Sequence, residues 1–265
     1  MATMVTFHAH PDDECIGCGG VMRKAFEEGH RVVLVVATRG EHGEVPADFL
    51  AEGEELWQRR VAETEAAAEI LGVARTEFLG YVDSGMMGEP TNDAPGSFWT
   101  ASVEEAAEKL AAILREENAD VLTCYDDNGG YGHPDHIQVH RVGMRAAELA
   151  GTPRVYQNTM NRDHLREGMA AFAAQAEAAG MDMTDLDDGD EEVGKPEAEL
   201  TARVDVTAYN EYKRRAMRAH ASQISEDSFF LSIPEEAFSV AFGIEWFIRV
   251  GQGPGITETD LMAGL

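Results

Sequence analysis

The feature that most constrains this chain is a pair of motifs rich in histidine and aspartate, each placed after a short apolar run. The first run, around Val5 and Phe7, leads into HAHPDDECIGCGG at residues 8–20. The second run, Ala119 to Cys124, leads into YDDNGGYGHPDH at residues 125–136. Open α/β sheets place their chemistry just outside the carboxyl ends of the strands. We therefore expect the two motifs to meet at one edge of a sheet.

Both motifs carry metal-binding residue types at a spacing that lets them converge. His10 and Asp13 are three residues apart, so a turn after the first strand can direct both at one ion. Pro134 suits the first position of a helix, because its missing N–H costs nothing there. His133 and His136 are then three residues apart at the helix start, where they can share a face. The pattern predicts a metal site built from two strand ends.

These motifs resemble those of the PIG-L, or LmbE-like, family of zinc-dependent N-deacetylases. The resemblance lies in HPDDE at 10–14, GCGG at 17–20 and GGYGHPDH at 129–136, with weaker similarity at 79–86 and 258–265. HPDD paired with HPDH is a specific signal, whereas either half alone is weak. The family includes the mycothiol-pathway deacetylase and amidase of actinobacteria, and the enzymes that deacetylate N-acetylglucosaminyl-phosphatidylinositol. The resemblance extends over nearly the whole chain.

The resemblance implies that the metal ligands are His10, Asp13 and His136. Two imidazoles and one carboxylate, with one open coordination position, are a usual ligand set for catalytic zinc. Ions that prefer six oxygen ligands suit two histidines less well, although iron(II) or cobalt could substitute. We therefore expect one zinc ion per chain.

Four further residues of the motifs are candidates for the catalytic steps. Asp12 is the expected general base, which takes a proton from metal-activated water; the alternative is that it only caps the next helix. His133, as a non-ligand, is expected to stabilise the oxyanion and to protonate the leaving amine. Asp135 is expected to hold the far nitrogen of a histidine. Tyr131 lies between glycines and is expected to donate to the oxyanion.

The predicted function is removal of an N-acyl group, expected to be acetyl, from an amino sugar or its conjugate. Arg60 and Asp83 resemble the positions that hold sugar hydroxyls in the mycothiol deacetylase, although Arg60 could equally be a surface arginine. One alternative is an amidase that cleaves a mycothiol-like thiol-sugar S-conjugate. Two others are a metal-dependent sugar-binding module without turnover and a nucleotide-binding protein that uses GCGG. The last lacks the third glycine of GxGxxG and an acidic residue after the second strand.

Three other histidines have both a structural and a functional interpretation. His140 forms an HxxxH pair with His136, but Ile137 stands where zinc proteases of this spacing carry glutamate, which favours a structural role. His8 is either a buried structural residue or a neighbour of the metal ligands. His220, near the end of an amphipathic helix, is either structural or close enough to reach the pocket.

The cysteine content and the net charge limit the possible cellular location and partners of the protein. Cys15 and Cys18 form a CxxC at a helix start, where a thiol could be redox-active, but with Cys124 the count is odd and small, which argues against a disulfide framework. The chain has 49 acidic and 21 basic residues and a net charge of −28. Such a charge repels nucleic acids and anionic membranes, so neither is an expected partner. We expect a cytoplasmic protein acting on a small molecule; the oligomeric state is not readable.

Strands that alternate with helices predict a doubly wound, Rossmann-like, largely parallel α/β sheet with helices on both faces. A length of 265 residues favours one domain over 1–265. Residues 182–199 hold nine acidic residues and a single lysine, which predicts a mobile surface excursion. Near the C-terminus, residues 238–250 are expected to supply one or two closing strands.

Overall fold

The computed structural model describes residues 1–178 and 193–265. Its strands are β1 Thr3–His8, β2 Arg31–Thr38, β3 Arg75–Tyr81, β4 Val121–Tyr125, β5 Arg154–Thr159, β6 Ala202–Asp205 and β7 Ile244–Arg249. Its helices are α1 Gly19–Glu27, α2 Leu56–Leu71, α3 Val103–Glu116, α4 Pro134–Ala150, α5 Arg162–Ala178, α6 Asn210–Ala219, α7 Phe229–Ser232 and α8 Glu235–Phe242. Within these two ranges, no helix has both the length and the apolar character that crossing a bilayer requires.

The seven strands form one sheet in the order β3-β2-β1-β4-β5-β7-β6. The five strands from β3 to β5 are parallel, and β7 runs antiparallel to its neighbours β5 and β6. This confirms the expected doubly wound, largely parallel sheet. From β1 the chain builds the sheet towards β2 and β3, and from β4 it builds towards β5. The order therefore reverses between β1 and β4, which is where open α/β sheets form their binding crevice.

The sheet is covered on both faces, as the apolar sequence of β2 predicts. Alternate residues of this strand enter different hydrophobic clusters: Val32 and Leu34 pack with α1, α2 and α6, whereas Val33 and Val35 pack with α3 and α4. The period of two residues along a strand causes this division. A buried central sheet fixes the ends of β1 and β4 side by side and so fixes the two motifs.

The chain before β7 differs from the prediction of one or two closing strands over 238–250. Only the second half of that stretch is a strand, β7, while Phe238 belongs to helix α8. Pro234 is followed by two glutamates in the first helical turn, which favours a helix start through the helix dipole. Phe238 and Phe242 then stack one turn apart, with ring centroids separated by 4.9 Å. Helical spacing of these rings explains the difference.

The predicted acidic excursion falls in two parts. Residues 182–192 lie outside the described residues, and the prediction stands there as a prediction. Residues 193–199 are among the described residues and make backbone hydrogen bonds with other segments. The backbone N–H of Gly194 donates to the carbonyl oxygen of Gly130 at 2.7 Å, and that of Lys195 to Met160 at 2.9 Å. These backbone contacts are not visible in the composition of the segment.

Candidate active site

Three side chains from the two motifs meet at the crevice between β1 and β4. His10 and Asp13 follow β1, and His136 lies in the first turn of α4. Asp13 Oδ2 lies 3.4 Å from Nδ1 of His10 and 3.4 Å from Nε2 of His136. Ligand atoms bound at ~2.0–2.2 Å to a tetrahedral zinc ion stand roughly 3.4 Å from one another. Both distances to the Asp13 oxygen therefore fit a tetrahedral metal site.

The other ring nitrogens of the two histidines are held by the protein. Nε2 of His10 lies 3.1 Å from Asp135 Oδ2, and Nδ1 of His136 lies 3.1 Å from the carbonyl oxygen of Gly129. Asp135 is fixed in turn by the backbone N–H of Ser84 at 2.9 Å and by the Ser84 hydroxyl. Because these contacts place the ring proton on the far side, each histidine keeps a lone pair for the shared position next to Asp13.

The electrostatics of this cluster favour a positive charge at its centre. Burial opposes protonation of His10, but the negative charge of Asp83 and hydrogen bonds to Asp13 and Asp135 raise its pKa well above the usual value. Burial likewise opposes ionisation of Asp13, but His136 and His10 lower its pKa well below the usual value. A site that attracts a proton this strongly is also suited to a cation.

His133 is the rival candidate for the third ligand. One ring nitrogen from each of His10, His133 and His136 lies within 4.8 Å of the other two. However, His133 is the N-cap of α4, and its Nδ1 accepts the backbone N–H of Asp135 at 3.1 Å. Burial and the positive charges of His10 and His136 lower the pKa of His133 to about 4. At neutral pH the ring is therefore neutral and carries its proton on Nε2, which makes it a hydrogen-bond donor.

Asp12 lies beside the cluster and has an unusual backbone conformation. Its φ angle is +102°, outside the region that residues with a side chain normally occupy. Its carboxylate contacts Arg60, with Asp12 Oδ2 lying 3.3 Å from Nη2 of that arginine. Burial raises the pKa of Asp12 to about 6, against the opposing charge of Arg60. The group is thus mainly ionised at neutral pH and more basic than an ordinary aspartate.

Arg60 and Asp83, the expected substrate contacts, line the same cavity of about 370 Å³ as His10 and Asp12. Arg60 is only 3% exposed, and besides Asp12 it donates to the carbonyl oxygens of Pro11 at 2.6 Å and Gly40 at 2.9 Å. Its guanidinium therefore anchors the loop that carries Asp12. Asp83 lies 3.5 Å from Nε2 of His10. These contacts place Asp83 nearer to the metal-binding cluster than the sequence indicates.

Tyr131 lies on the open side of the cavity. Its side chain is 46% exposed, and its hydroxyl oxygen lies 3.4 Å from Nε2 of His136. The flanking residues Gly130 and Gly132 have φ angles of +80° and +91°, which glycine adopts without strain. The structure thus places the Tyr131 hydroxyl next to the metal-binding cluster.

His8 and His140 make structural contacts, and Cys15 and Cys18 are buried. His140 Nδ1 lies 3.0 Å from the carbonyl oxygen of Tyr125, and His8 Nδ1 lies 2.9 Å from the hydroxyl of the same tyrosine. Tyr125 in turn stacks on the ring of His136, with centroids 4.7 Å apart. Cys15 and Cys18 are both fully buried, and burial raises the pKa of each thiol well above its usual value. Neither thiol has the exposed, acidic character that redox chemistry needs.

The GCGG segment begins α1, and its helix N-terminus is occupied by the protein itself. The backbone N–H groups of Gly20 and Val21 each donate to the Glu245 carboxylate at 2.8 Å. Lys213 lies 2.7 Å from the same carboxylate and pairs with it. A phosphate would need these N–H groups. This contact argues against the nucleotide-binding alternative.

Sequence reasoning did not assign a role to Glu14 or Ser84. Glu14 belongs to the HPDDE motif and Ser84 follows Asp83, so motif membership was the available signal. Nε2 of His220 lies 2.5 Å from Glu14 Oε1, and both side chains are fully buried. Although burial acts the other way on each, their mutual attraction raises the pKa of His220 and lowers that of Glu14. The two residues therefore form a buried ion pair behind Asp12.

Comparison with known proteins identifies the family of this chain. The model of the PIG-L family, described as GlcNAc-PI de-N-acetylase, matches residues 5–147. The chain is 41% identical over 287 residues to 1D-myo-inositol 2-acetamido-2-deoxy-alpha-D-glucopyranoside deacetylase of Salinispora arenicola, covering 99% of this chain and 91% of that protein.

Two solved structures share the fold at lower identity. N,N'-diacetylchitobiose deacetylase from Pyrococcus horikoshii has 24% identity and a TM-score of 0.59, with 94% of this chain and 83% of that chain covered. The 4-carboxy-2-hydroxymuconate hydratase GalB of Pseudomonas putida has 19% identity and the same TM-score, 0.59, over 98% of this chain and 99% of its own. Because a deacetylase and a hydratase share this fold, the fold alone does not define the reaction. The family match and the sequence relative define the class of reaction: this chain belongs to the PIG-L family of N-deacetylases.

Proposed function

We propose that this protein is a zinc-dependent hydrolase that removes the acetyl group from 1D-myo-inositol 2-acetamido-2-deoxy-α-D-glucopyranoside. Water cleaves the amide, and the products are acetate and the free amino sugar conjugate. The relative from Salinispora carries the name of this activity. The observation that carries the proposal is the Asp13 carboxylate oxygen at 3.4 Å from both histidine nitrogens. Iron(II) or cobalt would fit the same donors.

His10, Asp13 and His136 would hold the zinc ion. When bound, zinc lowers the pKa of a water molecule and polarises the carbonyl group of the acetamide. Asp12 takes the proton from the attacking water, because it is ionised at neutral pH and its raised pKa, about 6, gives it more basicity than a free aspartate. Once protonated, the same carboxyl can return the proton to the leaving amine.

His133 and Tyr131 stabilise the negative charge that develops on the carbonyl oxygen by donating hydrogen bonds to it. The neutral ring of His133 donates from Nε2, because its Nδ1 is already engaged by the Asp135 N–H at 3.1 Å. This geometry supports the oxyanion role expected for His133 more than the acid role, since a pKa of about 4 leaves little of the ring protonated at neutral pH. Tyr131 donates its hydroxyl from the open side. Asp135 keeps the His10 ring oriented.

The charge of the cavity supports an uncharged sugar substrate. Its walls include the carboxylates of Glu44, Asp83 and Glu89, and the Arg60 guanidinium is already engaged by protein acceptors. A sugar–inositol conjugate presents hydroxyls that donate to carboxylates, whereas a phosphodiester brings a negative charge that they repel. The net charge of −28 also argues against nucleic-acid and membrane partners, and we propose a small-molecule enzyme of the cytoplasm. Asp83 is the residue we assign to the sugar hydroxyls.

The test is an acetate-release assay with metal analysis of the same sample. The panel contains the inositol conjugate of N-acetylglucosamine, free N-acetylglucosamine, a glycerophosphoinositol conjugate of the same sugar and a mycothiol S-conjugate. We expect the inositol conjugate to be cleaved fastest, the activity to disappear on chelation and zinc to restore it. Fastest cleavage of the S-conjugate would favour the amidase alternative. A metal-loaded protein that binds these sugars without releasing a product would favour the binding module.

A further inference from the structure

Asp12, the proposed base in the loop after β1, has a strained backbone conformation. Asp48 and Asn118 also have positive φ angles, +63° and +49°, but these lie near the left-handed region that Asp and Asn tolerate. The φ angle of Asp12 is +102°, farther from that region. Conformations of this kind are strained and persist only where surrounding contacts enforce them. The contacts of the Asp12 backbone therefore help to set the direction of its carboxylate.

Both polar groups of the Asp12 backbone have protein partners. Its N–H donates to Glu14 Oε2 at 2.9 Å. Its carbonyl oxygen accepts the N–H of Cys15 at 3.1 Å, the N–H of Ile16 at 3.3 Å and the thiol of Cys15 at 2.9 Å. The carbonyl contacts belong to the turn that follows. The N–H contact is different, because a buried side chain bends back over two residues to make it.

Glu14 is held in this position from a remote part of the chain. Its other oxygen, Oε1, accepts Nε2 of His220 at 2.5 Å, across 206 residues of sequence. Nδ1 of His220 is buried and has no hydrogen-bond partner among the described residues, so the polar contact of this ring is with Glu14. The 2.5 Å between Glu14 Oε1 and His220 Nε2 is a hydrogen-bond distance, shorter than the separation of two ligand atoms on one metal ion.

The segment that carries His220 is itself braced against the wall of the active site. Ser222 donates to the Glu63 carboxylate of α2 from its backbone N–H at 2.9 Å and its hydroxyl at 2.6 Å. Gln223 donates to the carbonyl oxygen of Glu44, on the cavity wall, at 3.0 Å. These hydrogen bonds fix the segment that carries His220, and His220 in turn holds Glu14 in place.

We propose that Glu14 and His220 are positioning residues for the catalytic base: through the Asp12 N–H they hold the backbone conformation that aims the Asp12 carboxylate into the cavity. This inference rests on the proposed function, because it matters only if Asp12 is the base. Both side chains are fully buried, and neither lines the cavity. Their effect belongs to the rate of the chemical step, since a base displaced from the attacking water loses effective molarity while substrate contacts remain.

The test is a double-mutant cycle between Glu14→Gln and Asp12→Asn. Glutamine keeps the size of Glu14 but offers a single oxygen to two donors, the Asp12 N–H and His220. We expect Glu14→Gln to lower kcat roughly 10–100-fold, the range for residues that orient a catalytic group, with KM and zinc content unchanged. In the Asp12→Asn background, where the base is already absent, the same substitution should lower kcat no further. Equal losses in both backgrounds, no loss in either, or a loss of zinc would each overturn the proposal.

A second pair of variants leaves Glu14 in place and guards against a folding defect. His220→Gln keeps an N–H that can donate to Glu14, whereas His220→Leu has none. We expect the leucine variant to lose kcat as Glu14→Gln does and the glutamine variant to recover most of it; equal losses would contradict the proposal. Arg218→Ala, two residues before His220, removes an exposed ion pair with Glu226 and not the brace, so it is the matched control and should keep wild-type kcat. If the wild-type protein releases no acetate, the proposed function has failed; if it does and the cycle is additive, only the positioning role has failed.

Discussion

Helices α1 and α4 occupy equivalent places after neighbouring strands and are used differently. Each follows one of two adjacent parallel strands, and each is approached through a glycine-rich segment. At the start of α1, the N–H groups of Gly20 and Val21 bind the carboxylate of Glu245. At the start of α4, His133 caps the helix and lines the cavity, and Nε2 of His136 lies 3.4 Å from Asp13. One helix start is closed by the protein, and the other faces the cavity.

The difference shows that a glycine-rich helix start has no fixed function. The N–H groups of α1 could bind an anion, but the ligand comes from β7, 225 residues away in sequence from Gly20. A side chain at position 20 would also collide with Val206, so this glycine is required for helix packing rather than for a ligand. At α4, the residues that precede and begin the helix include a proposed oxyanion donor, His133, and a proposed metal ligand, His136. Substitutions at the two helix starts should therefore separate catalysis from stability.

The largest expected effect is the loss of a metal ligand at the start of α4. His136→Ala removes one of three proposed donors, so zinc content and acetate release should both fall to background. Zinc is measured in the purified protein together with its activity. His140→Ala, one turn along the same helix, is the matched control and should keep its zinc. Full zinc content in His136→Ala would remove this residue from the ligand set.

The second effect distinguishes the two neighbouring aspartates after β1. Asp12→Asn should keep zinc and lower kcat by roughly 10²–10⁴, because the base is lost while the ligands remain. Asp13→Ala should lose the metal instead, since its oxygen is 3.4 Å from both histidine donors. Zinc analysis and kcat of both variants check the assignment. Similar zinc contents in the two proteins would show that the division between base and ligand is wrong.

A smaller effect is expected at His133, which decides whether this residue is a ligand or an oxyanion donor. His133→Ala should retain zinc and lower kcat by about 10², the scale of one lost oxyanion donor. It also removes the helix cap, at a cost of ~1 kcal/mol in stability. His133→Asn restores a capping oxygen but not a donor at the position of Nε2, so it should recover stability and not rate. Loss of zinc equal to that in His136→Ala would make His133 the third ligand.

The smallest effect on catalysis is expected at the start of α1. Glu245→Ala leaves two N–H groups and the Lys213 ammonium buried without their partner, and removing one member of a buried ion pair costs ~3–5 kcal/mol. We expect the free energy of unfolding in urea to fall by that amount, while kcat/KM of the folded protein stays near the wild-type value. Glu245→Gln keeps a hydrogen-bond acceptor and should lose less stability. A large loss of kcat with intact stability would give α1 a catalytic role.

Much of the fold was predictable because local patterns carry it. The apolar run of β2 indicated a strand buried on both faces, and the alternation of strands and helices indicated a doubly wound sheet. The stretch around Phe238 was assigned to a strand because an apolar run fits either state; Pro234 and the two glutamates after it favoured the helix. The packing of residues 193–199 was not predictable, because their partners are backbone atoms of Gly130 and Met160.

The sequence by itself determined the chemistry that can occur at each strand end. The spacing of His10 and Asp13, and of His133 and His136, fixes which side chains can share a turn, because such contacts depend only on local backbone geometry. The tertiary structure decided the partners. It brought Glu245 to the start of α1 and engaged the Arg60 guanidinium with protein oxygens, and it buried His220 against Glu14 across 206 residues. Contacts at that separation are set by the packing of the whole sheet and its helices, which no local period or motif spacing encodes.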